Sequence, residues 1–384
     1  MEKDEIVNPK SQHTVILDEP ACCLAFVPHD SDHFVVGTYN LIERDKDEEH
    51  EATPASRDGR LYLFRITEMT MQQISQHPVN AGILDLKFQP CIDDCKDARV
   101  MAVASSLGFI GIYTVALNRK SGLEFQHVRN IQILPDDELV TSLTWSPMTL
   151  NEGQRDQGGR IALTSTSGAI LEIDTSSPLE TGACTVQCHQ AEAWIVSYMK
   201  IDTESAPLVI LSGGDDSCLI ASEIQERSKS SGARVTPWWS TRKIHAAGVT
   251  ALTPLSGPFV VSGSYDDYLR VIKIPETGGQ RPTTFHELYL GGGVWRIEPF
   301  AVKDSVESYE AKLLVSCMYA GAYVVQLVSD SDRQCWESRI LVHFQEHESM
   351  NYACGIVPQE RENPPETTFV SCSFYDRRLC LWTA

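Results

Sequence analysis

The stretch Ser262-Gly-Ser-Tyr-Asp-Asp-Tyr-Leu-Arg-Val271 reads as a strand end of small residues, a turn closed by Asp266, and the start of an apolar strand. Ser212-Gly-Gly-Asp-Asp-Ser-Cys-Leu219 says nearly the same thing, with Asp216 at the turn, and so does Cys372-Ser-Phe-Tyr-Asp-Arg-Arg-Leu-Cys-Leu-Trp382, with Asp376. A hairpin of this size cannot bury its own apolar face, so its copies must stack on one another. The chain is a repeat protein of small antiparallel sheets.

A second marker extends the repeat over the whole sequence. Alternating strands end in proline, as in Leu84-Asp-Leu-Lys-Phe-Gln-Pro90, Thr141-Ser-Leu-Thr-Trp-Ser-Pro147 and Val294-Trp-Arg-Ile-Glu-Pro299. Pro28, Pro254 and Pro358 mark three more, and Lys200 holds the place in one copy. Proline has no N–H for a ladder and belongs where a strand stops. The spacing lies slightly above the roughly 40–45 residues of a WD-repeat blade, and seven strand starts imply seven blades. Third strands are expected from Leu61, Phe109, Ala169, Leu219, Leu269, Ala322 and Leu379. Weaker fourth strands are visible at His127 to Ile133, Trp238 to Ile244 and Glu337 to His343. The last blade reaches Ala384 before a fourth strand can form; pairing Thr14-Val-Ile-Leu17 with it would close the ring and hide both edges. The expected fold is all-β, a single seven-bladed WD-repeat β-propeller over residues 1–384, with a charged insertion at about 40–58 in the first blade.

Composition narrows the function. The 384 residues carry 52 acidic and 32 basic side chains, a net charge of −20. That excess argues against a phosphate backbone as partner and favours cationic or basic ones. No stretch is long or apolar enough to span a bilayer, and Met1-Glu-Lys-Asp-Glu-Ile lacks a signal-peptide apolar region, so a cytoplasmic protein is expected. The twelve cysteines are scattered. Cys91/Cys95 and Cys184/Cys188 could form a zinc site only if both pairs converge in space; the expectation is small buried strand residues and no metal.

Ser/His/Asp sets invite a hydrolase triad reading. His189, Ser212 and Asp216 form one such set, and His245, Ser262 and Asp266 a second, with Ile272 where a tryptophan would stand. A third comprises His347, Asp376 and Trp382, with Cys372 at the serine position. Recurrence at one address in three blades assigns them to the scaffold, as the hydrogen-bonded set common inside WD-repeat blades. No G-x-S-x-G elbow and no glycine-rich phosphate loop is present.

Departures from the repeat are more informative. Gly291-Gly-Gly-Val-Trp-Arg-Ile297 opens blade six; its glycines either make a tight turn or bring backbone N–H groups close to a ligand. Trp194 and Tyr352 open neighbouring strands, as core or as site. Tyr39, Tyr265, Tyr319 and Tyr375 are read at one address before the third strand, where blade four has Asp215. Phenol rings and a carboxylate around one channel mouth suit a quaternary ammonium, through cation–π attraction.

His189-Gln-Ala-Glu-Ala-Trp194, Ser212-Gly-Gly-Asp-Asp216, Gly263-Ser-Tyr-Asp266, Gly292-Gly-Val-Trp-Arg-Ile297, Cys317-Met-Tyr-Ala-Gly321 and Cys372-Ser-Phe-Tyr-Asp376 together resemble the WD-repeat diphthine methyl esterase family, also called diphthine methyltransferases. The resemblance is specific from about His189 to Ala384; upstream the motifs are generic. It implies a cofactor-free carboxylic ester hydrolase acting on translation elongation factor 2. The family removes a methyl ester from methylated diphthine, a modified histidine bearing a trimethylammonium group, and the freed carboxylate is then amidated to diphthamide.

Ester hydrolysis needs a proton acceptor and donors for the developing oxyanion. The candidate bases are Glu192, Asp215 and His189, activating water directly. Arg296 and the amides of Gly292 and Gly293 are the candidate oxyanion donors. Trp194, Tyr265, Trp295, Tyr319, Tyr352 and Tyr375 are the candidates for the substrate's cationic arm. The alternative reading is a non-catalytic platform for protein partners, since fold does not dictate function. Methyl transfer is disfavoured for want of a nucleotide-binding turn between strand and helix.

Overall fold

The computed structural model describes residues 6–42, 56–90, 98–118, 122–147, 159–175, 183–201, 207–225, 234–275, 279–359 and 366–384. Among these, regular structure is strand throughout. Seven antiparallel meanders follow one another along the chain, each beginning on its innermost strand. Those innermost strands are Ala21–Phe26, Ile83–Phe88, Val140–Trp145, Ala193–Lys200, Val249–Pro254, Val294–Asp304 and Asn351–Ile356. They correspond one for one to the starts read from the sequence, and the protein is a seven-bladed β-propeller.

Ring closure is made by the N-terminal run. Ser11–Ile16 forms the outer strand of blade seven against Arg378–Thr383, with Thr14 opposite Cys380 and Val15 opposite Leu379. Just upstream, Val7 bridges to the outer strand of blade six, where its N–H reaches the Leu341 carbonyl at 3.0 Å. One segment therefore spans the seam between the two blades. The same seam buries Trp382 completely, stacked on Phe344 at 4.8 Å and Phe369 at 4.4 Å. Truncating such a side chain costs about 3–5 kcal/mol.

Small residues in the repeated motif have a packing reason. A Cβ on Gly263 would lie 2.3 Å from Val294 of the next blade, and one on Gly213 would lie 2.6 Å from Val249. The second strand must be flat there so that the neighbouring innermost strand can approach.

One local expectation is corrected. Pro299 does not end its strand, which runs on to Asp304 through a register shift between Phe300 and Lys303. An innermost strand pairs on one side only, so a missing N–H is tolerated there. The charged insertion also begins with structure. Asn40–Ile42 pairs with residues Ser56 to Asp58, lengthening the third strand of blade one to Ser56–Thr67, while 43–55 lie outside the described residues.

Candidate functional site at the channel mouth

Two backbone regularities decide which side chains reach the mouth. In every blade the residue immediately after the second strand donates its N–H to the loop that opens the blade. These bonds run from Tyr39 to Pro20, Ser106 to Gly82, Thr166 to Leu139, Asp215 to Glu192, Tyr265 to Gly248, Met318 to Gly293 and Phe374 to Met350. In every blade, too, the innermost strand carries a bulge at its second residue: Cys22, Leu84, Thr141, Trp194, Thr250, Trp295 and Tyr352. A bulge leaves one residue outside the ladder and re-aims its side chain. Thr141 and Thr250 turn inward, donating to the Ala193 and Val294 carbonyls of the next blade, while the aromatic residues at the rim and bulge addresses gather at the entrance.

Aromatic side chains fill an arc of it from blade four round to blade one. Trp194 and Trp295 lie 5.7 Å apart between ring centroids, Trp295 and Tyr265 6.1 Å, and Trp295 and Tyr352 5.0 Å. Tyr352 meets Phe374 at 5.4 Å, and Phe374 meets Tyr39 at 6.4 Å. The Trp295 Nε1 is buried with no hydrogen-bond partner. Burial pushes the phenols of Tyr265 and Tyr352 well above their usual range, so both stay neutral.

Tyr319 and Tyr375 do not hold the rim address expected of them, although Tyr375 meets Phe374 edge-on at 5.0 Å. The rim address in blades six and seven belongs to Met318 and Phe374, and the two tyrosines stand one residue further on, 73% and 69% exposed. Blade seven has one extra residue in its turn. Gly263 opposes Leu269, whereas the equivalent Cys372 opposes Leu379. The same insertion moves the scaffold serine. His347 bonds Ser371 and Ser373, each at 2.7 Å, and Trp382 Nε1 donates to Ser371 at 3.0 Å; Cys372 takes no part in the set.

Asp215 and Asp216 are adjacent and have opposite surroundings. Burial pushes the Asp216 carboxyl up, but it accepts from the Gln190 and Cys218 N–H groups at 3.0 and 3.1 Å and pairs with His189 at 2.9 Å, which together outweigh burial and hold it below the usual range. Asp215 accepts one bond, from Trp194 Nε1 at 2.6 Å. Burial raises its pKa, with Glu192 and Asp216 adding repulsion, against the lowering effect of the Trp194 bond. A carboxylate raised this way at a cleft is suited to proton transfer.

His189 cannot act at the mouth. Its side chain is fully buried, with Nδ1 on Asp216 and Nε2 on Ser212 at 2.8 Å, and burial lowers its pKa. His245 repeats this arrangement with Asp266 at 3.1 Å and Ser262 at 2.8 Å. Glu192 is exposed at the opening turn of blade four. Gly293 lies against Tyr265 and Met318, and Gly292 against Ala320, where a Cβ would come within 2.8 Å. Asp376 binds the Glu348 N–H at 2.8 Å and Ser349 Oγ at 2.7 Å, fixing the turn beside Phe374.

Below the aromatic arc, Arg296 lies with its guanidinium 5.3 Å from the Trp295 ring and Nη1 donating to the Trp295 carbonyl at 3.1 Å. It faces Asp85, which the sequence reading passed over. Cys22 lies beside them, its thiol pushed up to about 12 by burial and therefore no thiolate nucleophile at neutral pH. Among the described residues no group of three or more His, Cys, Asp or Glu is arranged to hold a metal; Cys91 and Cys95 lie outside them. No helix there is long and apolar enough to cross a membrane.

Fold and site together define a WD-repeat propeller with an aromatic, partly acidic cup at one channel mouth. The WD40 propeller domain of Doa1 superimposes with a TM-score of 0.59 at 12% identity, over 97% of this chain and 96% of its own. Chaetomium thermophilum Sqt1 bound to the N-terminus of ribosomal protein L10 gives 0.58 at 13% identity, over 98% of this chain and all of its own. No family model matches the sequence. A diphthine methyltransferase of Schizosaccharomyces pombe is 30% identical over 376 residues, 97% of either chain. A diphthine methyltransferase of Saccharomyces cerevisiae is 26% identical over 94% of this chain and 95% of its own length. The chain belongs to the diphthine methyltransferase family.

Proposed function

We propose that the protein acts in diphthamide biosynthesis by hydrolysing the methyl ester of methylated diphthine on translation elongation factor 2, releasing methanol and a free carboxylate. The observation that carries this reading is the aromatic cup with Asp215 at its lip and Arg296 at its base. Diphthine's trimethylammonium and carboxyl groups are borne on one carbon, so a site that holds the cation necessarily holds the ester beside it. Trp194, Tyr265, Trp295 and Tyr352 supply faces for the cation, an attraction of about 0.5–2 kcal/mol per ring.

In this reading Asp215 takes a proton from water as the water oxygen bonds to the ester carbonyl carbon. Arg296 stabilises the oxyanion that forms, with the Gly292 and Gly293 amides as further candidate donors. Collapse of the intermediate breaks the bond to the methoxy oxygen, which leaves as methanol with the proton held by Asp215. Glu192 is the second candidate base. His189 drops out because both ring nitrogens are engaged inside the blade. The excess of acidic side chains suits a basic protein surface around the modified histidine.

The test is incubation of the purified protein with elongation factor 2 carrying methylated diphthine, followed by mass analysis of the modified peptide. Loss of one methylene mass supports hydrolysis; an unchanged mass, or a gain of a methyl group, rules it out.

A further inference from the structure

The third residue of the innermost strand directly follows the bulge in each blade. Around the ring it is Cys23, Asp85, Ser142, Ile195, Ala251, Arg296 and Ala353. Only two of the seven are charged, they are opposite in sign, and they meet across the channel. Arg296 Nη2 lies 4.0 Å from Asp85 Oδ2, with side chains 13% and 2% exposed.

Asp85 is built to stay in place. Its Oδ2 accepts from Ser142 Oγ at 3.0 Å and from the Leu143 N–H at 3.2 Å, both in blade three. Its Oδ1 accepts from the Leu86 N–H at 3.0 Å. Two residues further along the same strands, Lys87 is the cation acting most strongly on Glu298, which repeats the pairing with the signs exchanged. Burying an ion pair is costly and gains little stability over apolar packing, so retaining one calls for another explanation.

We propose that Asp85 is the positioning residue for Arg296. Anchored on blades two and three, it draws the guanidinium across the channel to the base of the aromatic cup and balances its charge there. The proposal rests on the reading of Arg296 as oxyanion donor, and one of its tests is independent of that reading.

The activity test is a double-mutant cycle of Asp85→Asn and Arg296→Lys in the full chain, with methanol release measured on esterified elongation factor 2. We expect Asp85→Asn to lower kcat at least tenfold while changing KM less, and the double variant to lose no more than Arg296→Lys alone. Wild-type kcat in Asp85→Asn, or losses that multiply, overturn the proposal. The independent test is the rate at which phenylglyoxal modifies Arg296, followed by mass spectrometry. Asp85→Asn should speed it several-fold, and an unchanged rate overturns the proposal. Should Asp85→Asn not fold, Asp85→Glu keeps the charge but displaces it, and the same faster modification and lower kcat are expected. A wild-type protein that releases no methanol while the modification result holds contradicts the function, not the positioning.

Discussion

Asp215 and Asp216 are consecutive, yet they belong to different parts of the molecule. Asp216 sits 6% exposed within the His189–Ser212 set and is held ionised by two backbone N–H groups and an imidazole. Asp215 stands at the channel lip with a single donor from Trp194, and burial pushes its pKa the other way. The arrangement that looks most like a catalytic triad is scaffold, because every polar atom in it is spent on its neighbours. The arrangement with chemical capacity is the incomplete one. A carboxylate whose hydrogen-bonding capacity is unfilled takes up a proton more readily than one that is saturated, which protonates only at lower pH.

Substituting each aspartate separately breaks this comparison most sharply. Asp215→Asn should lower kcat about 10²–10⁴-fold with little change in thermal midpoint. Asp216→Asn should destabilise by about 1–3 kcal/mol while the folded fraction keeps its kcat. Equal effects of the two on either quantity would erase the distinction.

A smaller effect is expected from the cup. Trp295→Leu removes the ring at the centre of the aromatic arc and should raise KM about 5–30-fold, corresponding to about 1–2 kcal/mol of cation–π attraction. An unchanged KM would detach the rings from substrate binding. Trp194→Phe keeps a ring but deletes the 2.6 Å bond that lowers the Asp215 pKa. Asp215 then stays protonated to higher pH, and the acidic limb of the kcat/KM profile should move upward. A downward or absent shift would assign the base elsewhere.

The smallest effect concerns the scaffold. Burial holds the His347 imidazole down at about 4, and its two partners are serines rather than a carboxylate. Its folded pKa lies below the ordinary value near ~6.5, so the unfolded chain takes up the proton first as pH falls. This contribution to stability is complete above that value and is lost as pH drops toward 4. Chemical denaturation of His347→Gln at several pH values should show a shallower fall across this window than wild type. A parallel fall would place the acid sensitivity in other groups.

How far the sequence could be read follows from where its signals are local. Seven innermost strands, the closing role of Thr14 to Leu17 and the scaffold sets of His189 and His245 were all legible from periodicity and turn residues. In blade six, whose turn has no aspartate, the register puts Met318 rather than Tyr319 at the rim. Tyr375 is displaced because its address is counted from the turn aspartate. Hydrogen-bond register counts from the strand, and a single extra residue in the last turn separates the two. The pairing of Asp85 with Arg296 had no local signal at all. It arises only when blades two and six face each other across a closed ring, and a lone Asp in an alternating strand reads as an ordinary polar position.

The central claim, that water attacks the ester carbonyl in this cup, is tested most directly by running the reaction in ¹⁸O-labelled water. Hydrolysis as described predicts one heavy oxygen in the diphthine carboxylate and none in the methanol. An unlabelled carboxylate alongside a demethylated product would mean that the methyl–oxygen bond had been cut instead, contradicting the account.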